Sequence, residues 1–367
     1  MKTQKFALLF LIILFCSFQA EKKNSIKVAL ILDTSNSMDG LIDQAKTQLW
    51  NIVNELAEAK CDGTTPEIEI ALYEYGNDRL PMREGYIRLV TPFTSDLDLI
   101  SEKLFALKTN GGSEYCGQVI SSALKELDWE DYPNDLKLIF IAGNEPFDQG
   151  NVDYREVCKT TRDMDITVNT IFCGNFKVGE RTYWKDGAYI SGGDYMNIDQ
   201  DQAYTHIRTP FDDEILKLND SLNKTYLAYG VNKIVLSERQ VEQDHNAMNT
   251  NKEVAISRVY SKSKSVYNNA HWDLVDASLE DDFDIDKIDE NKLPEIMKNM
   301  TKEEKKKFIE KKRIEREEIK KKISKLSKDR TQYIDQKRKG ESKDMLDNAI
   351  IKAVKKQAKA KNYSFSK

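Results

Sequence analysis

The chain has 367 residues and a formal net charge of −5, with 32% charged and 40% hydrophobic residues. That length admits two domains, or one domain with an extension. The small net charge gives no ground for a nucleic-acid partner.

Lys2 and Lys5 precede an apolar stretch from Phe6 to Phe15, followed by Ser17-Phe18-Gln19-Ala20. This is the layout of a secretory signal peptide over residues 1–20, too short for a comfortable membrane span. The chain is therefore expected to be secreted, or to sit in the periplasm or cell envelope. Any membrane association would run through the N-terminus alone, as an uncleaved anchor or a lipid on Cys16. Beyond that segment lie Cys61, Cys116, Cys158 and Cys173. Three full pairings are open to them, and so is service as small buried hydrophobes.

From about residue 25 to 230, short apolar runs alternate with amphipathic stretches. Strands are predicted at Lys27–Leu32, Ile68–Tyr75, Tyr86–Val90, Leu136–Ala142, Ile166–Phe172 and Tyr195–Ile198. Helices are predicted at Leu41–Ala57, Leu97–Leu107, Tyr115–Leu127, Tyr154–Asp163 and Asp212–Tyr229. This order fits an α/β domain with a doubly wound, mostly parallel sheet and helices on both faces. Tyr183-Trp184-Lys185-Asp186-Gly187 reads as a surface loop or a cover on the sheet edge.

The first predicted strand runs straight into Asp33-Thr34-Ser35-Asn36-Ser37. In open α/β sheets ligands bind where the chain leaves the carboxyl ends of the strands. Asp33, Ser35 and Ser37 place one carboxylate and two hydroxyls on alternate residues of that turn. These are hard oxygen ligands, suited to Mg²⁺, Mn²⁺ or Ca²⁺ and unsuited to zinc. The plainer alternative is a turn whose side chains satisfy their own loop and cap the next helix. Asp39 and Asp43, just beyond, favour the helix dipole whatever the function.

At these residues the chain resembles the von Willebrand factor type A (VWA) family, in which this motif opens a metal-ion-dependent adhesion site. The resemblance spans roughly residues 26–230. Lys108-Thr109-Asn110-Gly111-Gly112-Ser113 is similar to the family's second metal loop, which makes Ser113 a further ligand by resemblance. The third loop follows Leu138-Ile139-Phe140-Ile141, where the family places an aspartate and this chain has Gly143. Glu145, two residues on, is then the residue expected to stand in for it, with Glu114 a lesser source of charge. Ile141 to Phe147, with Tyr73 to Asp78, is similar to a group of secreted bacterial members. The resemblance implies a divalent cation with one position left for a partner's carboxylate, hence a protein or other acidic ligand.

After Gly230 the composition changes. Residues 231–295 read as a linker with an acidic stretch at Glu280–Asn291. Asp282-Phe283-Asp284-Ile285-Asp286 fails as an EF-hand, because Lys287 holds the glycine position. Residues 296–367 read as a charged α-helical extension. Ile319, Ile323, Leu326 and Tyr333 give it a thin apolar stripe, too interrupted for a coiled coil. Its Lys and Glu residues interleave as a salt-bridged solvated face. A second short helix is predicted at Ala349–Ala360.

Nothing in the sequence proposes a reaction. His206, His245 and His271 have no nucleophile or metal spacing, and there is no phosphate-cradling glycine loop. The expectation is an exported, non-catalytic binding module. One rival is a scaffold with a degenerate metal site whose helical extension makes the contacts. The weaker rival is a cell-envelope hydrolase.

Overall fold

The computed structural model describes residues 24–38, 42–61, 63–130, 132, 134–198, 207–337 and 346–365. The predicted signal peptide, Cys16, Asp39 and His206 lie outside them.

The chain opens with β1 (Ser25–Asp33), α1 (Ile42–Leu56), a short β2 (Ala59–Cys61), β3 (Glu67–Tyr75) and β4 (Ile87–Thr94). Helices α2 (Leu97–Phe105) and α3 (Cys116–Glu126) precede β5 (Leu136–Gly143), α4 (Tyr154–Asp163) and β6 (Ile166–Cys173). Then come α5 (Phe176–Arg181), α6 (Trp184–Ser191), β7 (Tyr195–Ile198) and α7 (Asp212–Asn223). The main sheet has the order β4-β3-β1-β5-β6-β7, parallel except for β4 at the edge. This is the doubly wound α/β architecture expected.

The strands read as unbroken apolar runs because both faces of the sheet are covered. Along β1, Val28, Leu30 and Leu32 enter a core with Trp50 and Val53 of α1 and Leu97 and Ile100 of α2. Ala29 and Ile31 point the other way, toward Val119 and Ile120 of α3 and Tyr154 of α4. All four cysteines of the domain are buried, and no disulfide joins any of them. Cys158 and Cys173, close enough in sequence to bridge, serve as small core residues.

Trp184 corrects the reading of residues 183–187 as a surface loop. It is completely buried and begins α6, with its ring against Phe147 and Phe172. The helix predicted over 212–229 ends at Asn223. Beyond it Tyr226 leaves the helical path and stacks on Trp272, 5.7 Å between centroids.

The largest difference from expectation lies in residues 231–295. They form α8 (Lys233–Thr250), α9 (Lys252–Lys262) and α10 (Leu274–Ala277), which pack into the structure where a linker had been read. They bury apolar residues, among them Val254, Ile256, Val259, Leu274 and Val275, and are also held by buried charges. The buried Arg258 guanidinium donates to Asp98 of α2 at 2.7 Å, to Asp244 of α8 at 2.8 Å and to Ser101 at 3.2 Å. Lys262, also fully buried, donates to Asp244 at 2.7 Å and to Asn219 and Asn223 of α7.

The extension begins with α11 (Lys302–Lys337), a single helix of 36 residues. Its thin stripe is its seam: Ile319 and Ile323 pack with Ile215, Leu222, Ile256 and Val259. Arg313 and Glu310 pair on its solvated side, while Arg316 turns inward to Asp273 and Asp276, each at 2.6 Å. After α11, α12 (Leu346–Ala360) lays Ile350, Val354 and Ala358 into the α1 side of the sheet core. The last strand, β8 (Tyr363–Phe365), pairs antiparallel with β2.

Two outcomes follow from the buried charges. Arg258→Ala leaves Asp98 and Asp244 buried without their cation, and is expected to cost about 3–5 kcal/mol, read as a lower urea midpoint. For Asp244, burial alone would raise the pKa, but Lys262 and Arg258 overcome it and hold the carboxyl well below its usual range. A carboxyl lowered on folding contributes stability that is full above its unfolded value, near ~3.9, and lost as pH falls below it. Asp244→Asn is therefore expected to be less stable at neutral pH and to lose less on acidification, as urea unfolding from about pH 5 to about pH 2 would show.

Candidate functional site

Asp33 is the last residue of β1 and is completely buried. One residue further, Thr34 N–H still donates to the Tyr75 carbonyl at 2.9 Å, so the chain leaves the sheet only at Ser35. Ser35 N–H turns back to Asp33 Oδ1 at 2.7 Å. Asn36–Met38 then make one tight turn, held by Met38 N–H on the Ser35 carbonyl and by the buried Met38 side chain. This local folding brings Ser35 Oγ and Ser37 Oγ to 2.7 Å from one another. Ser37 Oγ also donates to Asn144 Oδ1 at 3.0 Å, and Asn144 Nδ2 returns a bond to the Ser37 carbonyl. The first and third loops are thus joined.

The second loop is brought in by backbone contact. Asn110 N–H donates to the Thr34 carbonyl at 2.9 Å, and the buried Asn77 side chain donates to the Lys108 carbonyl at 3.0 Å. A Cβ on Gly112 would stand 2.2 Å from the Gly76 carbonyl oxygen, so the two loops touch only because residue 112 has no side chain. Gly76, with φ +76°, is needed twice over. Its conformation disfavours a side chain, and a Cβ there would stand 2.7 Å from both Asp33 Oδ1 and Glu114 Cγ.

The space so kept holds Glu114. Its carboxyl, only 3% exposed, faces that of Asp33. No hydrogen-bond donor among the described residues reaches Asp33 Oδ2 or Glu114 Oε2, although both are buried. Burial and the Asp33 charge push Glu114 up to about 9, and burial pushes Asp33 up to about 6 against hydrogen bonds from Glu114 and Ser35. Two buried carboxyl groups in contact, each with one oxygen left without a donor, are eased by a proton shared between them or by a cation that replaces it.

The expected site residues fall into two sets. Asp33, Ser35 and Ser37 come together as described. Ser113 is half-exposed beside Glu114, and no hydrogen bond links it to Asp33 among the described residues. Glu145 is half-exposed on the third loop. Its backbone carbonyl accepts from the Trp184 indole at 2.7 Å and its carboxylate accepts from Gln149 Nε2 at 3.4 Å. Its charge adds a small upward push to both Asp33 and Glu114. No group of three or more carboxylate, imidazole or thiolate side chains forms a metal cluster among the described residues.

Gly143 has a physical reason. A Cβ at that position would meet Tyr75 Oη at 2.4 Å, Trp184 Cη2 at 3.0 Å and Asp33 Cβ at 3.3 Å. Tyr75 is fully buried and donates to the Ala142 carbonyl at 3.1 Å. A phenol and an indole fill the volume that an aspartate side chain would take. Glu114 supplies a second carboxylate from the opposite loop.

The donor set fits a hard divalent cation. It has two inward carboxylates with unpartnered oxygens, two hydroxyls 2.7 Å apart and a glycine-lined cradle. The nearby Cys116 thiol is buried and pushed well above its usual pKa, the reverse of an activated nucleophile.

No protein-family model matches the chain, and no curated protein matches it in sequence. Among solved structures, similar chains are VWA domains and their relatives. The SpRpn10 VWA domain is 13% identical with a TM-score of 0.37, covering 48% of this chain and 89% of that one. The conserved hypothetical protein BatB from Bacteroides thetaiotaomicron is 14% identical with a TM-score of 0.36, covering 60% and 100%. Proximal thread matrix protein 1 from the mussel byssus, solved with a zinc-occupied MIDAS motif, is 12% identical with a TM-score of 0.36, covering 49% and 43%. At these values the reading of the site stands on its own geometry.

Placing an aspartate at this position provides a check. Gly143→Asp is expected to lower stability by about 1–3 kcal/mol through overpacking against Tyr75 and Trp184. Denaturant unfolding of the variant measures it.

Proposed function

We propose that this chain is an exported, non-catalytic VWA-type binding module that grips a protein partner through a divalent cation, Mg²⁺ or Mn²⁺ in the first instance. Asp33 and Glu114 would hold the ion with the hydroxyls of Ser35 and Ser37, while Ser113 and Glu145 flank it. Bound there, the ion would supply a Lewis-acidic position for an oxygen of the partner. The protein's own part is to fix the carboxylates and hydroxyls on three loops that cannot separate. The observation that carries this reading is the buried Asp33–Glu114 pair with an unpartnered oxygen on each side. Export rests on the charged and apolar N-terminal residues; no helix among the described residues is long and apolar enough to cross a membrane.

A second reading keeps the fold but moves recognition to the C-terminal helices. It is favoured by Ile296 and Ile314 of the extension, which stand 62% and 49% exposed. The two readings differ in their response to Asp33→Ala, which removes binding under the first and leaves it under the second.

Calorimetric titration of Mg²⁺ and Mn²⁺ into the purified chain, beside Asp33→Ala, tests the first reading directly. Saturable binding that disappears in the variant is expected. Absence of binding to the unaltered chain would remove the proposal.

A further inference from the structure

The carboxylates around the site bear on what kind of ligand it takes. Asp33 and Glu114 are inside it, and both carry a buried oxygen without a donor. Glu145 is coupled to them through one side chain: Gln149 Oε1 accepts from Glu114 N–H at 3.5 Å, and Gln149 Nε2 donates to Glu145 Oε2 at 3.4 Å. Gln149 therefore keeps the third carboxylate on the same side as the second. The geometry that admits Glu114 is a matter of two glycine positions. It needs the missing Cβ at Gly76, and it accompanies the closure of the position at Gly143 by Tyr75 and Trp184.

A divalent ion neutralises two carboxylates. Glu145, half-exposed on the third loop, then adds one negative charge beyond those two. Its exposure screens that charge in part, yet it still opposes a second negative charge brought next to the ion. The basic residues on the same loops, Arg79 and Lys108, are exposed, where solvent and salt screen them. A carboxylate approaching the ion would meet this surplus, whereas an uncharged oxygen would meet only the ion's field.

We propose that Glu114 is a direct carboxylate ligand of the cation, and that with Glu145 it tunes the site toward an uncharged oxygen donor of the partner, an amide carbonyl or a hydroxyl, in place of a carboxylate. This rests on the functional reading above and revises the acidic ligand that the sequence led us to expect. Glu114 sets the affinity for the ion, and Glu145 sets the choice of ligand.

The test uses the full chain loaded with Mn²⁺, with acetamide and acetate as probes, and reads the number of Mn²⁺-bound waters by ¹⁷O-water electron–nuclear double resonance. Acetamide is expected to displace a bound water from the unaltered protein at concentrations where acetate does not. Glu145→Gln is expected to let acetate in, and Glu114→Gln to weaken Mn²⁺ binding by at least about tenfold, since even outer-shell partners of a metal site cost that much. Acetate displacing water from the unaltered protein as readily as acetamide would overturn the ligand preference while leaving the cation site standing. Unchanged Mn²⁺ affinity in Glu114→Gln would overturn the role of Glu114. Failure of the unaltered chain to bind Mn²⁺ at all would remove both this inference and the reading beneath it. Circular dichroism of each variant guards against a folding defect, and Glu114→Asp, which keeps the charge on a shorter arm, should recover part of the affinity.

Discussion

Strand β1 is bonded to β3 along one side and to β5 along the other, residue for residue from Ile26 to Leu32. It is also buried on both faces, so it has no freedom to shift along its axis without sliding every side chain out of register. The place where β1 stops therefore fixes Asp33, and Asp33 fixes the rest of the site. Thr34 remains bonded to Tyr75, and the loop carrying Asn110 is bonded to Thr34. The third loop is tied to Ser37 through Asn144. The loops have little independence: each is a rider on the middle strand. A carboxylate presented this way cannot swing out to solvent when it is unsatisfied, which is what makes an unpaired Asp33–Glu114 contact informative.

The C-terminal part is held by different means. Arg258, Arg316 and Arg330 each enter from one helix and bind carboxylates on others: Asp98 and Asp244, Asp273 and Asp276, Asp212 and Glu253. Burying such charges gives up much of what their attraction returns. Their geometry is demanding, because a planar guanidinium accepts few arrangements of oxygen atoms. The apolar contacts of α11 amount to a thin stripe that alone would tolerate slippage. The arginines set its register, at the expense of a larger apolar seam.

This division explains what could be read in advance. The strands were legible because burial on both faces leaves continuous apolar runs, and the position of Asp33, Ser35 and Ser37 followed from where the first run ends. Glu114 was visible only as a charge near the site. Its entry depends on Gly76 and Gly112, which lie on different loops and whose joint effect is a matter of packing in three dimensions. The closure at Gly143 was hidden for a similar reason, since it depends on which face of β3 Tyr75 occupies. Residues 231–295 were hard to read because α8 buries Gln240, Gln243 and Ala247 and shows no apolar period, while the buried Val254, Ile256 and Val259 of α9 stand among the equally buried Arg258 and Lys262. Trp184 was misplaced because charged and glycine neighbours obscured one fully buried ring.

The end of the chain closes the structure at the opposite pole. Helix α12 covers part of the sheet on the α1 side, Tyr363 Oη donates to the Ser25 carbonyl at 3.0 Å, and β8 completes a ribbon with β2. These contacts join segments separated by more than three hundred positions (|i−j| of 338 for Tyr363 and Ser25). A growing polypeptide cannot make them until residues 346–365 have emerged, so the flank of the sheet that α12 covers stays open while the residues before it are made. Contacts this distant in sequence also slow folding, because the intervening loop must be closed before they stabilise anything.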